Sequence, residues 1–375
     1  MLYFGDRLRR SNELLDTYIR LLLEAQPVGD VNVVWQGGEP TLMGIEFFRR
    51  VVRCVELHRK AGQNVAHTIQ TNGTLLDGEW CKFLKQHNIL VGIGIDGPQS
   101  LHEACRPDEE GSGSFNAVMH GYELLRRHQV DVNVLCAIHA ANAERPVEVY
   151  RFFRHELQAR YLQFIPIVER TMEDQIPIAN SGWDRSLAVD GPMYLRRGGQ
   201  FTDRSVRADQ FGRFLIATFN QWMRRDVGKV FVPTFNTALG SWLGRDKLCL
   251  LSPTRGNAVA IEHNGALHTC DLYIEPKFRL RDLSETPLGV GSGRQHAFGH
   301  NTPDSQSQHC HECAVLFACH GGCPRNCAVS TPEVESGLSY LSAAYELFFN
   351  HINPAMKTIA HLLGRDRFAD EIMQV

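Results

Sequence analysis

The chain has 375 residues, of which 43% are apolar and 22% are charged, values that are ordinary for a globular protein of two or three domains. A formal net charge of −3 excludes the basic excess that favours nucleic acid or an anionic membrane surface. No apolar run approaches the roughly 18 residues of a membrane span, and the first residues lack a signal-peptide stretch. The composition therefore predicts a cytoplasmic protein with no nucleic-acid or membrane partner.

The first half of the chain alternates apolar runs with amphipathic stretches. The runs are rich in β-branched residues and too continuous for burial on one face, which is typical of parallel strands covered on both sides. The alternation predicts a parallel α/β sheet or barrel. The expected strands are 31–35, 65–69, 89–95, 132–138 and 161–167, and the expected helices are 11–26, 43–60, 76–87, 114–128 and 143–157.

A helix at 11–26, with no strand ahead of it, is an unusual opening for such a fold. Because a βα unit begins with a strand, the pattern predicts that the first barrel strand and its loop are missing. Farther along, residues 171–207 are typical of a long loop or insertion, and a helix is expected at 208–225. The segment 258–270 predicts a hairpin with an Asn-Gly turn, and a long helix is expected at 337–363.

Cysteines are concentrated in the second half, where seven of the eleven follow residue 248. In a cytosolic chain such a cluster indicates metal binding rather than disulfides. The spacing suits either a structural zinc site or an iron–sulfur cluster, and it does not separate the two. Taken alone, Cys249 and Cys270 are typical of small buried side chains, but beside the cluster they become candidate ligands. Four cysteines of the cluster fall within fourteen residues, namely Cys310, Cys313, Cys319 and Cys323.

A glycine pair and two carboxylates are candidates for a ligand or catalytic site. Gly37 and Gly38 follow the first predicted strand, where parallel folds place their active sites, and glycines allow a ligand to approach the backbone. Glu39 offers a carboxylate to an ammonium group, or it favours a helix N-terminus after a tight turn. Asp271 directly follows Cys270 and is either a turn residue or a catalytic carboxylate.

Four segments together resemble the anaerobic sulfatase-maturating enzymes, which belong to the radical S-adenosylmethionine (SAM) superfamily and carry a C-terminal SPASM domain. The resemblance covers residues 1 to about 363, nearly the whole chain. The segments are WQGGEPTLMG (35–44), IQTNGTLLDGEWCKFL (69–84), VGIGIDGP (91–98) and CHECAVLFACHGGCP (310–324).

The resemblance implies a particular α/β fold, a partial (β/α)6 radical SAM barrel that lacks its first strand. A small cysteine-rich SPASM domain and a C-terminal helical segment are expected to follow it. The implied boundaries are 1–228 for the barrel, 229–248 for a connector, 249–335 for the SPASM domain and 336–375 for the helical segment.

The resemblance also implies a reaction. In this family a [4Fe-4S] cluster in the barrel reduces S-adenosylmethionine to a 5′-deoxyadenosyl radical, which takes a hydrogen from Cβ of a sulfatase cysteine or serine. A base removes the thiol or hydroxyl proton, formylglycine results, and two auxiliary [4Fe-4S] clusters carry the released electron away. The cofactor supplies the difficult chemistry, and the protein supplies binding and orientation. The implied partners are a sulfatase polypeptide and an electron donor such as flavodoxin or ferredoxin.

Carried over residue by residue, the resemblance assigns Gly37, Gly38 and Glu39 to the methionine part of the cofactor. Arg106 matches a family arginine near the cofactor, and Gly94 stands at the position where the family has a serine. These five residues are the expected cofactor-binding set.

The resemblance assigns the remaining candidate residues to proton transfer and to the auxiliary clusters. Asp271 matches the family's proton acceptor. The expected ligands are Cys249, Cys270 and Cys323 for the first auxiliary cluster, and Cys310, Cys313 and Cys319 for the second.

The sequence departs from the family pattern at the metal ligands. The Cys-x3-Cys-x2-Cys motif that holds the radical cluster occurs nowhere in the 375 residues. Arg255 and Ser342 each stand where an auxiliary site has a further cysteine, although Cys327 is an extra cysteine nearby. Each auxiliary site therefore keeps three of four thiolates, and we expect its cluster to be more labile and shifted in potential.

These losses predict that the polypeptide cannot cleave S-adenosylmethionine reductively. Three alternatives to an impaired maturase are a non-catalytic relative that binds sulfatase or peptide segments, a zinc-binding module, and a SPASM enzyme that modifies ribosomal peptides. Asp271 directly after Cys270 favours sulfatase maturation over the last of these.

Overall fold

The computed structural model of the chain describes residues 12–26, 29–108, 111–180, 198–245, 249–252, 258–274, 276–283, 306–327 and 338–374. The chain divides into two compact units, each made of three stretches of sequence. Unit 1 comprises Met1–Ile93, Met119–Val132 and Thr254–Asp304, and unit 2 comprises Gly94–Val118, Asn133–Pro253 and Ser305–Val375. The four-segment division expected from the sequence stays a prediction.

Five strands form a curled parallel sheet in the order of the sequence, β1-β2-β3-β4-β5. This arrangement confirms the predicted partial-barrel fold, and every expected strand is present to within two residues at either end. The strands are β1 (Asp30–Trp35), β2 (Asn64–Thr71), β3 (Leu90–Gly94), β4 (Val132–Ile138) and β5 (Leu162–Pro166).

Helices precede β1 and separate the successive strands, as the alternation predicts. Local signals set their starts: Asp77 accepts a hydrogen bond from the backbone N–H of Trp80 at the head of α3, and Pro146 provides the first residue of α6. A π-helical turn, Phe152–Glu156, continues α6. The helices are α1 (Asn12–Ala25), α2 (Ile45–His58), α3 (Gly78–Gln86), α4 (Gln99–Glu103), α5 (Phe115–Arg127) and α6 (Pro146–Arg151).

Burial on both faces, expected for all the strands, holds for β3 but not for β1. The β3 residues from Val91 to Gly94 are all buried, whereas β1 alternates exposed and buried residues and leaves Val34 49% exposed. The physical reason is position, because β1 stands at the end of the strand order within the described sheet.

The second half contains shorter strands and two long helices. The predicted hairpin is present as β8 and β9, and the segment expected to be a loop contains β6, α7 and β7, with 181–197 outside the described residues. No helix in the described part of the chain combines the length and apolar character needed to cross a bilayer. The elements are β6 (Arg170–Thr171), α7 (Ile176–Asn180), β7 (Gln200–Phe201), α8 (Ala208–Arg225), α9 (Pro233–Trp242), β8 (Ala260–Ile261), β9 (Ala266–His268), β10 (Arg279–Asp282), α10 (Gln308–Glu312), α11 (Leu316–Cys319) and α12 (Ser342–Leu363).

Aromatic side chains build the core of each unit. In unit 1, Trp35 at the end of β1 packs edge-on against Tyr18 and Phe48, with ring centroids 6.3 and 5.7 Å away. In unit 2, α8 and α12 pack together, and Phe219 contacts Phe348 edge-on at 6.1 Å. The loop that follows Trp35 therefore begins on a rigid base.

Candidate functional site

The loop after β1 has the backbone geometry of a close-approach site. Gly37 and Gly38 have φ values of +96° and +58°, a region that L side chains rarely adopt. A Cβ atom at either position would meet no other described atom within 4 Å, so the space beside this backbone is open. The glycine pair thus both shapes the turn and leaves room for a ligand.

Glu39 ties the loops after β1 and β2 together. Its Oε1 accepts hydrogen bonds from the backbone N–H of Thr41 at 3.0 Å, from Oγ1 of Thr41 at 2.6 Å and from Oγ1 of Thr71 at 2.7 Å. Its Oε2 accepts the backbone N–H of Asn72 at 2.7 Å. Glu39 therefore caps the short helical turn that follows it. Its Oε2 can still accept a hydrogen bond from a further donor such as an ammonium group.

Asp271 lies beside the residue that precedes this glycine pair. Its Oδ2 accepts a hydrogen bond from Nε2 of Gln36 at 2.7 Å, and both side chains are exposed. The thiol of Cys270 lies 3.2 Å from Oδ1. Sequence reasoning missed Gln36, although its place directly before Gly37 in the WQGGEPTLMG segment was an available signal.

A buried carboxylate, Asp96, holds Arg106 in unit 2. Asp96 is 1% exposed, and its carboxylate accepts two hydrogen bonds from Arg106, one from Nε at 2.6 Å and one from Nη2 at 3.2 Å. The two residues form a bidentate ion pair. The backbone N–H of Ala137 donates to Oδ1 of Asp96 at 2.8 Å. Arg106, expected near the cofactor, is therefore also the charge partner of a buried acid that was not among the predicted site residues.

Gly94 lies against the guanidinium of Arg106. A Cβ atom at Gly94 would stand 2.8 Å from Nη1 and 3.1 Å from Cζ of Arg106. The absence of a side chain at Gly94 leaves the space that Arg106 occupies. The structure thus brings these two predicted residues together.

Two buried histidines surround Asp96. Nδ1 of His102 accepts the backbone N–H of Asp96 at 3.3 Å, and its Nε2 lies 3.1 Å from Oγ of Ser114. Burial lowers the pKa of His102 to about 4, so this ring is neutral at physiological pH. Burial also lowers the pKa of His139, whose Nε2 lies 3.9 Å from Oδ2 of Asp96 and forms no hydrogen bond among the described residues.

The cysteines assigned to the second auxiliary cluster line one small recess in unit 2. Ser342, which stands where a fourth cysteine was expected, lines the same recess. Within the described ranges no group of three His, Cys, Asp or Glu side chains is arranged to hold one metal ion. The iron–sulfur or zinc identity of a metal at these thiols therefore stays a prediction. The lining residues are Cys310, Cys313, Val315, Leu316, Cys319, Gly321, Ser342 and Glu346.

The residues expected at the first auxiliary cluster are divided between the units. Cys249 and Cys323 belong to unit 2, Cys270 belongs to unit 1, and Arg255 lies outside the described residues. The thiol of Cys327 donates to the carbonyl oxygen of Cys323 at 3.6 Å. The grouping of these ligands stays a prediction.

The isolated cysteines of the first half fit a structural role. Burial raises the pKa of Cys81 and of Cys105 to about 11, and it raises the pKa of Cys136 well above its ordinary value. Since the thiolate is the reactive and metal-binding form, these side chains are inert at neutral pH.

Comparison with known proteins agrees with this fold and these segments. The model of the radical SAM superfamily matches residues 4–153. A serine-type anaerobic sulfatase-maturating enzyme of Bacteroides thetaiotaomicron is 36% identical over 97% of this chain and 86% of its own length. A second serine-type enzyme, from Klebsiella pneumoniae, is 32% identical over 90% of this chain and 78% of its own length.

A solved structure gives the same relationship in three dimensions. Native anSMEcpe with bound AdoMet and Cp18Cys peptide superposes with a TM-score of 0.80 at 26% identity, covering 94% of this chain and 92% of that one. The fold and the family model define a radical SAM protein. The chain belongs to the anaerobic sulfatase-maturating enzyme family.

Proposed function

We propose that this chain positions S-adenosylmethionine and a sulfatase peptide for oxidation of a cysteine or serine to formylglycine. The family relationship supports the substrate class. The observation that carries the assignment is Asp271, whose carboxylate lies 2.7 Å from Gln36 at the edge of the Gly37 loop.

The unit 1 residues suit cofactor binding and proton removal. S-adenosylmethionine, if bound here and reduced by one electron from an iron–sulfur cluster, would supply the hydrogen-abstracting chemistry of the reaction. Glu39 presents Oε2 to the ammonium of the methionine part, and the open backbone of Gly37 admits the ligand. Asp271 receives the substrate's thiol or hydroxyl proton on its carboxylate. Gln36 is a positioning residue, because its amide fixes the orientation of Asp271.

The radical cluster does not fit this polypeptide, because no Cys-x3-Cys-x2-Cys motif is present to hold it. Reconstituted protein with S-adenosylmethionine and dithionite should therefore form no 5′-deoxyadenosine above the background without protein. Formation of that nucleoside would contradict the expectation that these 375 residues alone cannot cleave S-adenosylmethionine reductively. A flavodoxin or ferredoxin donor should likewise fail to produce it.

Cofactor binding tests the Glu39 assignment on the protein as it stands. Glu39→Gln should weaken S-adenosylmethionine binding about 10- to 100-fold, since a charge-assisted hydrogen bond contributes about 1.5–3 kcal/mol. Glu46→Gln is the matched control, because Glu46 is exposed on α2 and pairs only locally with Arg49 among the described contacts. Equal binding by both variants, measured by anaerobic equilibrium dialysis, would place the cofactor elsewhere.

Maturation is tested by adding the Cys-x3-Cys-x2-Cys motif, which these 375 residues do not contain. The N-terminal cluster segment of the Bacteroides thetaiotaomicron relative, fused upstream of Met1, should allow the chain to convert a sulfatase peptide to formylglycine, detected by mass spectrometry. Asp271→Asn in the fusion should abolish conversion while peptide binding persists. A fusion that holds its clusters and binds peptide without converting it would instead support the non-catalytic, peptide-binding alternative.

A further inference from the structure

The guanidinium of Arg106 is used only in part by its buried partner. Nε and Nη2 donate to the two carboxylate oxygens of Asp96, whereas Nη1 makes no hydrogen bond to any residue that the structure describes. Nη1 lies beside Gly94, where a Cβ atom would stand 2.8 Å away, and the side chain of Arg106 is 33% exposed. Because a guanidinium carries five N–H donors in one plane, the pair with Asp96 leaves donors of Arg106 available to a ligand.

The carboxylate of Asp96 is fixed from two segments of unit 2. Asp96 follows β3, and its Oδ1 accepts the backbone N–H of Ala137 in β4 at 2.8 Å. Nδ2 of Asn142, which is fully buried, donates to the carbonyl oxygens of Asp96 and Ala137 at 3.0 and 2.7 Å. These bonds set the direction of the Asp96 carboxylate, and the carboxylate in turn sets the plane of the guanidinium.

Arg106 is the permanent cation that pairs with this carboxylate within the described part of the chain. Nδ1 of His139 accepts the backbone N–H of Ala141 at 3.3 Å, so the neutral ring carries its hydrogen on Nε2, 3.9 Å from Oδ2 of Asp96. Burial lowers the pKa of His139, and it lowers the pKa of His102 to about 4, so both rings are uncharged at pH 7. The pair of Arg106 and Asp96 therefore has no net charge, and what it offers a ligand is a set of directed donors.

We propose that Asp96 is a positioning residue, which holds Arg106 so that Nη1 donates to the carboxylate of the methionine part of S-adenosylmethionine. The inference rests on the proposed function and on the assignment of Arg106 to the cofactor. Pairing between arginine and a carboxylate depends on the geometry of the planar guanidinium, so an arginine whose plane is already fixed loses little freedom when the ligand arrives. Asp96 acts through Arg106 and not on the ligand itself.

Two ligands isolate this contact: S-adenosylmethionine, and decarboxylated S-adenosylmethionine, which keeps the ammonium and the sulfonium but lacks the carboxylate. In anaerobic equilibrium dialysis, the wild-type chain should bind S-adenosylmethionine about 10- to 100-fold more tightly, the range of one charge-assisted hydrogen bond. Asp96→Asn should reduce this preference to about its value in Arg106→Met. Removal of a negative charge would by itself strengthen carboxylate binding, so a weaker preference reports the orientation of Arg106 and not the charge.

Asp226→Asn is the matched control in the same unit. Asp226 is 6% exposed, and it accepts hydrogen bonds from Nη2 of Arg154 at 2.7 Å and from the hydroxyl of Tyr150 at 2.8 Å. The substitution therefore disturbs a buried acid of the same kind, and it should lower stability while leaving the ligand preference unchanged. Asp96→Asn in an Arg106→Met background should not change the preference further, because the two residues act as one unit.

Arg106→Lys keeps the test decisive if Asp96→Asn does not fold. A lysine retains the charge opposite Asp96 but has a single ammonium in place of the planar fork, so it should also lose the preference. A preference of wild-type size in folded Asp96→Asn or in Arg106→Lys would overturn the positioning role, and so would its loss in Asp226→Asn. Equal binding of the two ligands by the wild-type chain would overturn this inference and leave the proposed function in place. A wild-type chain that does not bind S-adenosylmethionine would overturn both.

Discussion

Replacing Arg106 with methionine removes the charge partner of a buried acid while keeping the aliphatic stem. Asp96 is 1% exposed, and it would retain only the backbone N–H of Ala137 as a direct hydrogen-bond donor to its carboxylate among the described contacts. Breaking a buried ion pair costs about 3–5 kcal/mol because an uncompensated charge remains. The side chain of Arg106 is 33% exposed, so solvent reaches the pair. We therefore expect a loss of about 2–3 kcal/mol of unfolding free energy.

Urea denaturation at pH 7, followed by circular dichroism, measures this loss as a lower midpoint at an unchanged slope. Arg207→Met is the control, because Arg207 forms a comparable pair with Asp209 in which the two side chains are 62% and 51% exposed. That substitution should leave the midpoint essentially unchanged. Arg106→Met combined with Asp96→Asn should recover part of the loss, as a double-mutant cycle requires of coupled groups.

A midpoint for Arg106→Met no lower than that for Arg207→Met would refute the structural reasoning. If that variant stayed stable and instead bound S-adenosylmethionine weakly, Arg106 would act on the cofactor, as the family resemblance implies. Both results come from the same purified protein. The stability and binding measurements therefore assign the arginine to one role, to the other, or to both.

Gly94→Ala should destabilise the chain by about 1–3 kcal/mol, because the new Cβ would stand 2.8 Å from a guanidinium nitrogen of Arg106. The same substitution should cost less in an Arg106→Met background, and urea melts of the variants in both backgrounds measure the difference. Burial holds the pKa of His102 at about 4, below its ordinary 6.5, so the unfolded chain binds the proton more readily. The unfolding free energy should thus fall as pH drops from 6.5 to 4. In His102→Gln, urea melts recorded across that pH range should show a smaller change of the unfolding free energy with pH. If the proposed second auxiliary cluster assembles, Cys327→Ala should retain the wild-type iron content, since Cys327 does not line the recess formed by Cys310, Cys313 and Cys319; loss of iron in this variant would contradict that expectation.

The elements of the barrel were predictable because periodic apolar patterns encode burial locally. The β4 strand, Val132–Ile138, coincides with its predicted bounds, and α8 begins and ends where its pattern does. The strand ends then placed Gly37 and Glu39 at a site-forming loop without any knowledge of packing. The exposure of Val34 on β1 and of Ile165 on β5 departed from the pattern, because the number of neighbours a strand has is a property of the whole sheet and these strands stand at the ends of the strand order.

The partners within the site could not be predicted, because they depend on tertiary contacts. Gln36 and Asp271 are 235 residues apart in the chain, and nothing local links them. The role of Asp96 depends on Arg106 ten residues later and on the empty Cβ position at Gly94. Glycine in a strand carries no local sign that a guanidinium fills the space beside it.

The hydrogen bonds around Glu39 have a consequence for the thermodynamics of ligand capture. Thr71 and Asn72 fasten the carboxylate from a second strand end, so its orientation is established when the sheet forms. A ligand that arrives at Oε2 meets a rigid acceptor and loses only its own freedom. The protein should therefore lose little conformational entropy on binding. In Thr71→Val the Glu39 carboxylate would be less ordered before binding, so the entropy cost of ordering it would be added to the binding free energy.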